Sequence, residues 1–347
     1  GKGGGTGFLG GSVSTDTIDG QQKIANDIIS NQNNIDKIYS ATENKSGRIL
    51  RSSNNDHFWY GLLSTIVWKI NNHFTYTGGL DLRNYTGIHY RTVYGLLGGD
   101  YYIDYSDDNF EEGKVVRLGD EIAYHNDTTV DWLGGFVQAN YTTDKINVYG
   151  MGGLSSIEYS YQDHFTIEDE VIKAEPISTY QVKGGVMYDI NSDVSVFFNT
   201  GLVEKAPIMD NVIYYDGTVA SDPANEKFLH NEFGVNYRFG KLGLNASAYN
   251  TDWQDRNLTK SVTTGQGDSG DTDVIFLTGV NQKHSGVELE TNYTVNDMLD
   301  LMFVASFGNW KFDGDANGNY QETEYNSDGQ AIGYTTTEYA YALDGLY

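Results

Sequence analysis

The stretch from Val235 to Trp253, VNYRFGKLGLNASAYNTDW, decides how the whole chain is interpreted. Apolar residues take every second position from Val235 to Phe239 and again from Leu242 to Ala248, with a short break between the two runs. A period of two on both sides of a tight turn predicts a β-hairpin with one apolar and one polar face. The apolar face covers a core in a soluble sheet, whereas in an outer-membrane barrel it contacts lipid and the polar face lines a lumen.

The composition favours β structure and narrows the range of partners. With 347 residues the chain can form one large domain or two ordinary ones. Its 27 Tyr, 41 Gly and only 3 Pro are typical of an all-β protein. The net charge of -26 opposes nucleic-acid binding, because a polyanion is repelled by such a surface. The absence of Cys excludes disulfides and thiolate zinc sites.

Alternation like that of the first hairpin recurs along most of the chain and predicts an antiparallel, all-β protein. The predicted strands cover residues 58–69, 74–84, 131–142, 146–160, 179–190, 194–203, 228–239, 242–258, 273–295, 299–312 and 333–342. Most are about ten residues or longer, which suits a tilted strand that crosses a membrane. No apolar run reaches the roughly eighteen residues that a membrane-crossing helix needs.

The connections between these strands alternate between two kinds. The short turns are 70–73, 142–145, 190–193, 239–241 and 295–298, and the long polar connections are 85–130, 161–178, 204–227, 259–272 and 313–332. Aromatic residues stand just before the short turns, at Trp68, Tyr141, Tyr188, Tyr237 and Tyr293. Short turns at one end, long loops at the other and a ring of aromatics are typical of outer-membrane barrels. The chain is therefore expected to be an antiparallel transmembrane β-barrel, or a part of one with about 11–12 strands.

Residues 1–57 differ from the remainder of the chain. They begin with a Gly-rich segment, and Ile24, Ile28, Ile35 and Ile38 then recur at a spacing that predicts one face of a short helix. The expected organisation is a Gly-rich start plus a loop helix over 1–57, followed by barrel strands with long extracellular loops over 58–347.

Four segments together resemble a known family. They are GGLDLRNYTGIHYRTVYGLLGGDYY, FFNTGLVEKAPIMDNVIYYDGTVASDPANEKFLHNEFGVNYRF, LNASAYNTDWQDRNL and TGVNQKHSGVELETNYTV. The order of the last three resembles that of the C-terminal half of TonB-dependent outer-membrane receptors, and the first segment is similar to receptors of this kind from Bacteroidota. The resemblance covers most of residues 45–347.

This resemblance implies an importer in the outer membrane of a Gram-negative bacterium, which takes up a scarce large solute such as an iron–siderophore complex, a cobalamin or an oligosaccharide. The implied partners are outer-membrane lipid, lipopolysaccharide, a plug domain and TonB. The family barrel has about 22 strands, more than are predicted here, so the chain is interpreted as a fragment, while a complete small barrel stays open. A passive porin and a surface glycan-binding adhesin sheet are the alternative functions.

Candidate ligand contacts lie in the long connections. The loop over 100–131 is rich in carboxylates, which a solvated loop and a cation-capturing loop would both show. The predicted substrate-contacting residues are the aromatic ones of this loop and of the loop over 204–227: Tyr101, Tyr102, Tyr105, Phe110, Tyr214 and Tyr215. Aromatic rings of this kind can stack on a ligand.

The segment DGDANGNYQETE at 313–324 matches the spacing of a calcium loop. The predicted ligands are Asp313, Asp315, Asn317, Asn319 and Glu324. The flanking segments are predicted strands rather than the helices of an EF-hand, and Asp/Asn/Gly segments are also common as plain turns. No cofactor is required by the rest of the sequence.

Catalytic motifs are absent from the sequence. It contains no HExxH, GxSxG or GxxxxGK[ST] pattern, and its seven His residues stand apart. His57, His89 and His125 could converge from loops, although isolated loop histidines are usually solvated. No enzyme activity is expected.

Overall fold

The computed structural model describes residues 5–8, 11–13, 18–165, 170–214, 217–264, 271–325 and 331–346, and these residues are mostly in antiparallel strands. One α-helix, α1, spans Ile18–Asn31. The strands are β1 Gly5–Phe8, β2 Gly11–Val13, β3 Ile49–Lys69, β4 Phe74–Gly95, β5 Tyr102–Asp104, β6 Lys114–Val116, β7 Glu121–Thr142, β8 Ile146–Asp163, β9 Val171–Lys173, β10 Ile177–Asp189, β11 Val194–Lys205, β12 Glu226–Phe239, β13 Leu242–Thr264, β14 Asp271–Asn296, β15 Leu299–Phe312, β16 Ala316–Tyr325 and β17 Ala331–Tyr341. The all-β prediction with a short N-terminal helix is confirmed.

One large sheet contains almost all of these strands. Its order is β17-β16-β14-β13-β12-β11-β10-β8-β7-β4-β3-β1-β2, with β15 paired to β14 and β9 to β8. The two halves of β14 pair with β15 and β16 in turn, so that β15 and β16 form one interrupted strand position. Long strand positions are therefore occupied by β3, β4, β7, β8, β10, β11, β12, β13, β14, β15 with β16, and β17, in agreement with the predicted number.

The sheet does not close on itself within the described residues, where β2 and β17 form its two ends. This arrangement fits part of a larger barrel. Among the same residues, no helix has the length and apolar character needed to span a membrane.

The hairpin quoted at the start forms as predicted. β12 and β13 are joined at Gly240 and Lys241, and Gly240 takes a left-handed conformation with φ 56° that glycine adopts without steric cost. Phe233, Ala248, Val287 and Phe307 occupy successive strands at one level of the apolar face. Phe307 is 72% exposed. A sheet that leaves such a face uncovered presents it to another molecule or to lipid.

The polar side chains of the same strands lie on the opposite face. Asn236, Asn245 and Glu290 are aligned across β12, β13 and β14. The side-chain amide of Asn245 donates to Oδ1 of Asn236 at 2.7 Å. Below, the two sides of the sheet are called the apolar face and the polar face.

The short connections lie at one edge of the sheet, and the aromatic residues cluster there. Phe74 and Tyr141 stand opposite each other on β4 and β7, with ring centroids 4.7 Å apart. Trp68, Tyr188 and Tyr293 are also exposed on the apolar face close to their turns. This edge therefore carries the band of aromatic residues that the sequence predicts for a membrane interface.

Several strands are longer at the other edge than the sequence predicts. β13 continues to Thr264, β14 begins at Asp271, and β16 fills much of the predicted connection 313–332. The prediction of long loops at 259–272 and 313–332 is therefore wrong at 259–264, 271–272, 316–325 and 331–332, whereas 313–315 do form a connection. Strand residues beyond an apolar band are solvated on both faces, and so their sequence loses the alternation that marks the central strands.

The N-terminal segment also differs from its prediction in detail. The helix ends at Asn31, so Ile35 and Ile38 lie outside it, and the predicted helical face is wrong at these two residues. At this end the Asn31 side chain ties the helix to neighbouring segments, because its amide donates to Leu97 O at 3.1 Å and its Oδ1 accepts from Gly47 N at 2.9 Å. β3 begins at Ile49, which places the expected boundary at 57 inside a strand.

Candidate ligand-binding surface

The polar face carries an aromatic cluster near the long-loop edge, on β12 to β15. We call it the aromatic patch, and it consists of Phe228, His230, Tyr249, Trp253, His284 and Trp310. Strand register creates it, because side chains two residues apart share one face and paired residues on neighbouring strands stand side by side. His230 pairs with Thr251, which in turn pairs with His284, and His284 pairs with Trp310.

Contacts among the rings hold the patch together. The Phe228 and Trp253 ring centroids are 4.5 Å apart, and the Arg256 guanidinium lies 4.1 Å from the Trp253 ring centroid. Trp310 Nε1 donates to Tyr249 Oη at 2.9 Å. Trp310 is 46% exposed, so its ring is available to a ligand.

A buried carboxylate links the patch to the end of β11. Glu226 is 1% exposed and accepts a hydrogen bond of 3.1 Å from Trp253 Nε1. Its second oxygen lies 3.4 Å from Lys205 Nζ and accepts from Asn257 N at 3.4 Å. A buried charge must be paired and hydrogen-bonded, and here the pairing fixes the indole in place.

The patch and the neighbouring Arg256 combine flat apolar rings, two imidazoles and one guanidinium on a polar surface. Such a surface can stack on planar or ring-shaped ligands while its polar edges bind ligand oxygens. The patch was not among the predicted sites, although aromatic and His residues at alternate, polar-face positions of neighbouring predicted strands are a usable signal. Register between strands had to be known before that signal could be assembled.

The acidic loop after β4 folds into a structure of its own. We call residues 18–48 together with 96–120 the loop cap. β5 and β6 form a short hairpin in it, and Ile103 and Val116 are buried. Asp104 accepts from Ser106 Oγ at 2.7 Å and from Ala123 N at 3.1 Å, and burial raises the pKa of its carboxyl above the usual value.

Tyr101 and Tyr102 of the predicted contact residues serve the cap itself. Tyr101 is 1% exposed, and Tyr102 packs against the buried cluster that contains Val116. Tyr105 Oη lies 3.4 Å from Tyr39 Oη. The first two rings are therefore occupied by the packing of the cap.

Phe110 is the most accessible of the predicted contacts in this loop. It is 46% exposed, and Lys114 Nζ lies 5.1 Å from its ring centroid. Tyr214 is partly buried in a separate loop, and Tyr215 lies outside the described residues. The structure does not bring Tyr214 together with the cap aromatics through any described contact, and the ligand role of all these residues stays a prediction.

The first two predicted calcium ligands have other partners. Asp313 Oδ2 is 2.7 Å from Lys283 Nζ. Asp315 Oδ1 accepts from the backbone N–H groups of Leu343 at 3.1 Å and Asp344 at 3.3 Å. A calcium ion would have to compete with a cation and with two backbone donors.

The rest of the predicted calcium segment is a strand. Asn317 and Asn319 belong to β16 and pair with β14, so the chain is extended where a calcium loop would wrap around an ion. The backbone of Glu324 is also in β16, while its side chain is outside the description. Calcium binding at 313–324 stays a prediction, which a calcium titration would test.

The sequence suggested that His57, His89 and His125 could converge, but the structure groups the histidines differently. His57 and His89 lie near each other, with ring centroids 5.7 Å apart, and His57 Nδ1 is 2.7 Å from Tyr85 Oη. His125 instead meets His164, with ring centroids 4.4 Å apart.

Comparison with known proteins agrees with this architecture. The family model for TonB dependent receptor-like β-barrels matches residues 8–345. The chain is similar in structure to the copper transporter OprC, with a TM-score of 0.53 and 14% identity over 80% of this chain and 43% of that one. It is also similar to the ferric yersiniabactin uptake receptor FyuA from Yersinia pestis, with a TM-score of 0.51 and 12% identity over 84% of this chain and 47% of that one.

At these identities the two structures show the fold alone, and the chain spans less than half the length of each. A search of curated proteins gives no match. Members of the matched family are transporters of the Gram-negative outer membrane rather than enzymes. Because the family model covers nearly the whole chain, this protein belongs to the TonB-dependent receptor β-barrel family.

Proposed function

We propose that this chain is part of the barrel of an outer-membrane receptor that imports a scarce large solute with energy delivered through TonB. The observation that carries the proposal is the aromatic patch, which lies on the polar face of a sheet of the receptor family. In a barrel the polar face lines the lumen, and the patch would then meet a solute on its way inward. The apolar face would contact outer-membrane lipid and lipopolysaccharide.

The solute classes that suit the patch are an iron–siderophore complex, a cobalamin or an oligosaccharide. Each presents rings or planar groups to the indoles of Trp253 and Trp310. The guanidinium of Arg256 beside Trp253 adds a positive charge to a chain with a net charge of -26, and this would favour ligands that carry oxygen anions. A plug domain and TonB are the proposed partners for energy coupling.

Ligand binding tests the patch. Purified receptor is titrated with a ferric siderophore, a cobalamin and an oligosaccharide in turn, and binding is followed by calorimetry. We expect one class to bind and Trp310→Ala to weaken that binding about two- to tenfold, the range of one aromatic stacking contact. Trp68→Ala is the matched control, because Trp68 is 66% exposed on the apolar face. An equal effect of both variants, or no binding by any class, would contradict the proposal.

Uptake by cells separates the proposal from its two rivals. Radiolabelled solute should enter cells that carry the receptor, and entry should stop when the proton-motive force is collapsed. A passive porin would allow entry to continue without that force. A glycan-binding adhesin would retain the solute at the cell surface, with no entry under either condition.

A further inference from the structure

Three side chains with metal-binding atoms converge at the outer end of the β7–β8 hairpin. They are His125, Asp127 and His164, and one potential ligand atom from each lies within 4.8 Å of the others. Register explains the convergence: His125 and Asp127 are two residues apart and share one face of β7. His164 follows the last pair of the ladder, and its backbone N–H donates to His125 O at 2.9 Å.

From this geometry we infer that His125, Asp127 and His164 form a binding site for a divalent transition-metal ion of the zinc or copper class. His164 Nε2 is 3.4 Å from Asp127 Oδ2, and His125 Nε2 is 3.6 Å from Asp127 Oδ1. Two ligand atoms on one tetrahedral ion, each about 2.1 Å from it, are about 3.4 Å apart. Each of these two His–Asp distances is therefore close to that of adjacent metal ligands.

Two potential ligand atoms of the site lack a hydrogen-bond partner in the described part of the chain. His164 Nε2 and Asp127 Oδ1 are buried, and neither makes a hydrogen bond there. Buried polar atoms normally have a partner, because leaving one unsatisfied carries the full cost of its lost hydration. An ion bound between them would satisfy both.

Glu121 completes the arrangement. Its Oε2 is 2.7 Å from His125 Nδ1, which leaves Nε2 of the same ring to face Asp127. When a carboxylate accepts a hydrogen bond from the imidazole nitrogen that does not bind the metal, it fixes the orientation of the ring and raises the basicity of the ligating nitrogen. Two imidazoles and one carboxylate suit Zn²⁺, Cu²⁺ or Ni²⁺, whereas Ca²⁺ and Mg²⁺ require more oxygen ligands.

The site would also fasten the loop cap to the sheet. Asn109 of the cap donates from Nδ2 to His164 O at 3.3 Å, and Asp108 N donates to Phe165 O at 2.9 Å. A metal ion that fixes His164 would therefore restrain this part of the cap. The predicted consequence is slower hydrogen exchange in residues 105–113 when the metal is present.

Metal titration of the membrane-inserted receptor tests the site. One equivalent of Cu²⁺ is added, and pulsed electron paramagnetic resonance counts the coordinated imidazoles. We expect two in the wild type and one in His164→Gln, with no change in His57→Gln, the matched control from the other His pair. The Kd for Zn²⁺ should rise about 10–100-fold in Glu121→Gln, which removes only the supporting carboxylate.

Hydrogen exchange shows whether the His164→Gln variant is folded, so that a loss of metal binding can be distinguished from misfolding. Without metal, His164→Gln and the wild type should show equal exchange in β7 and β8, and only the wild type should gain protection in 105–113 on adding Zn²⁺. Copper signals that are identical in wild type and His164→Gln would overturn the inference. Absence of imidazole coordination in the wild type would overturn it as well.

Discussion

Asn245 donates a hydrogen bond of 2.7 Å from its side-chain amide to Asn236 Oδ1, across β12 and β13. The neighbouring residue Leu244 stands on the opposite face, paired with Tyr237. One step along the backbone thus separates a polar lumen-type environment from an apolar one. An arginine substitution is therefore expected to have opposite consequences on the two faces of this hairpin.

Leu244→Arg should impair membrane insertion or lower stability by about 2–4 kcal/mol if the residue lies near the bilayer midplane, because arginine on a lipid-facing position loses its hydration. Asn245→Arg should be far milder, since the polar face is wet. Urea unfolding of receptor in lipid vesicles compares the two variants. Equal tolerance of both would favour a soluble sheet over a barrel.

Glu226→Ala should destabilise the region around the aromatic patch. It leaves the half-buried Trp253 indole N–H without its acceptor, at a cost of up to about 1 kcal/mol for the lost hydrogen bond. Glu226→Gln keeps an acceptor oxygen and should cost less. Local hydrogen exchange in β12 and β13 measures both variants, and a larger loss for Gln than for Ala would show that the hydrogen bond is not what matters.

Asp104 makes the stability of the loop cap depend on pH. Because burial raises the pKa of Asp104 from its ordinary 3.8, the folded cap binds a proton more readily than the unfolded chain does. The cost of the buried charge is therefore present at neutral pH and disappears as pH falls through the folded pKa. Compared with Asp104→Asn, the wild-type cap should gain stability as pH falls from about 7 to 4.

Limited proteolysis of the cap at several pH values measures this difference. The variant serves as the control, because other carboxyl groups titrate in both proteins and their effect cancels. A difference between wild type and variant that stays constant over this pH range would contradict the proposed cost of burial.

Much of the fold could be predicted because apolar and polar residues alternate along the central strands. The segment Leu242–Ala248 shows its two faces in seven letters, and the same pattern located the middle of each long strand. The strand ends, such as β13 up to Thr264, were missed because residues solvated on both sides carry no alternation. At the end of α1, Asn31 contacts Leu97, a tertiary contact that spacing does not reveal.

The candidate sites were harder to predict for a related reason. Trp253 and His284 are 31 positions apart and meet only through the β13–β14 register. His164 fell in a predicted long connection, and its approach to His125 follows from the last pair of the β7–β8 ladder. Sites assembled across strands require register, and single-sequence periodicity gives the faces of each strand but not their alignment.

Cysteine labelling on intact cells tests the central claim, that the chain forms part of an outer-membrane receptor barrel with its long connections outside. Glu111 is exposed in the loop cap, and Ser192 is exposed in a short turn at the other edge of the sheet. Glu111→Cys should react with a membrane-impermeant thiol reagent, whereas Ser192→Cys should react only after the outer membrane is permeabilised. Labelling of Ser192→Cys on intact cells, with Glu111→Cys protected, would contradict the account.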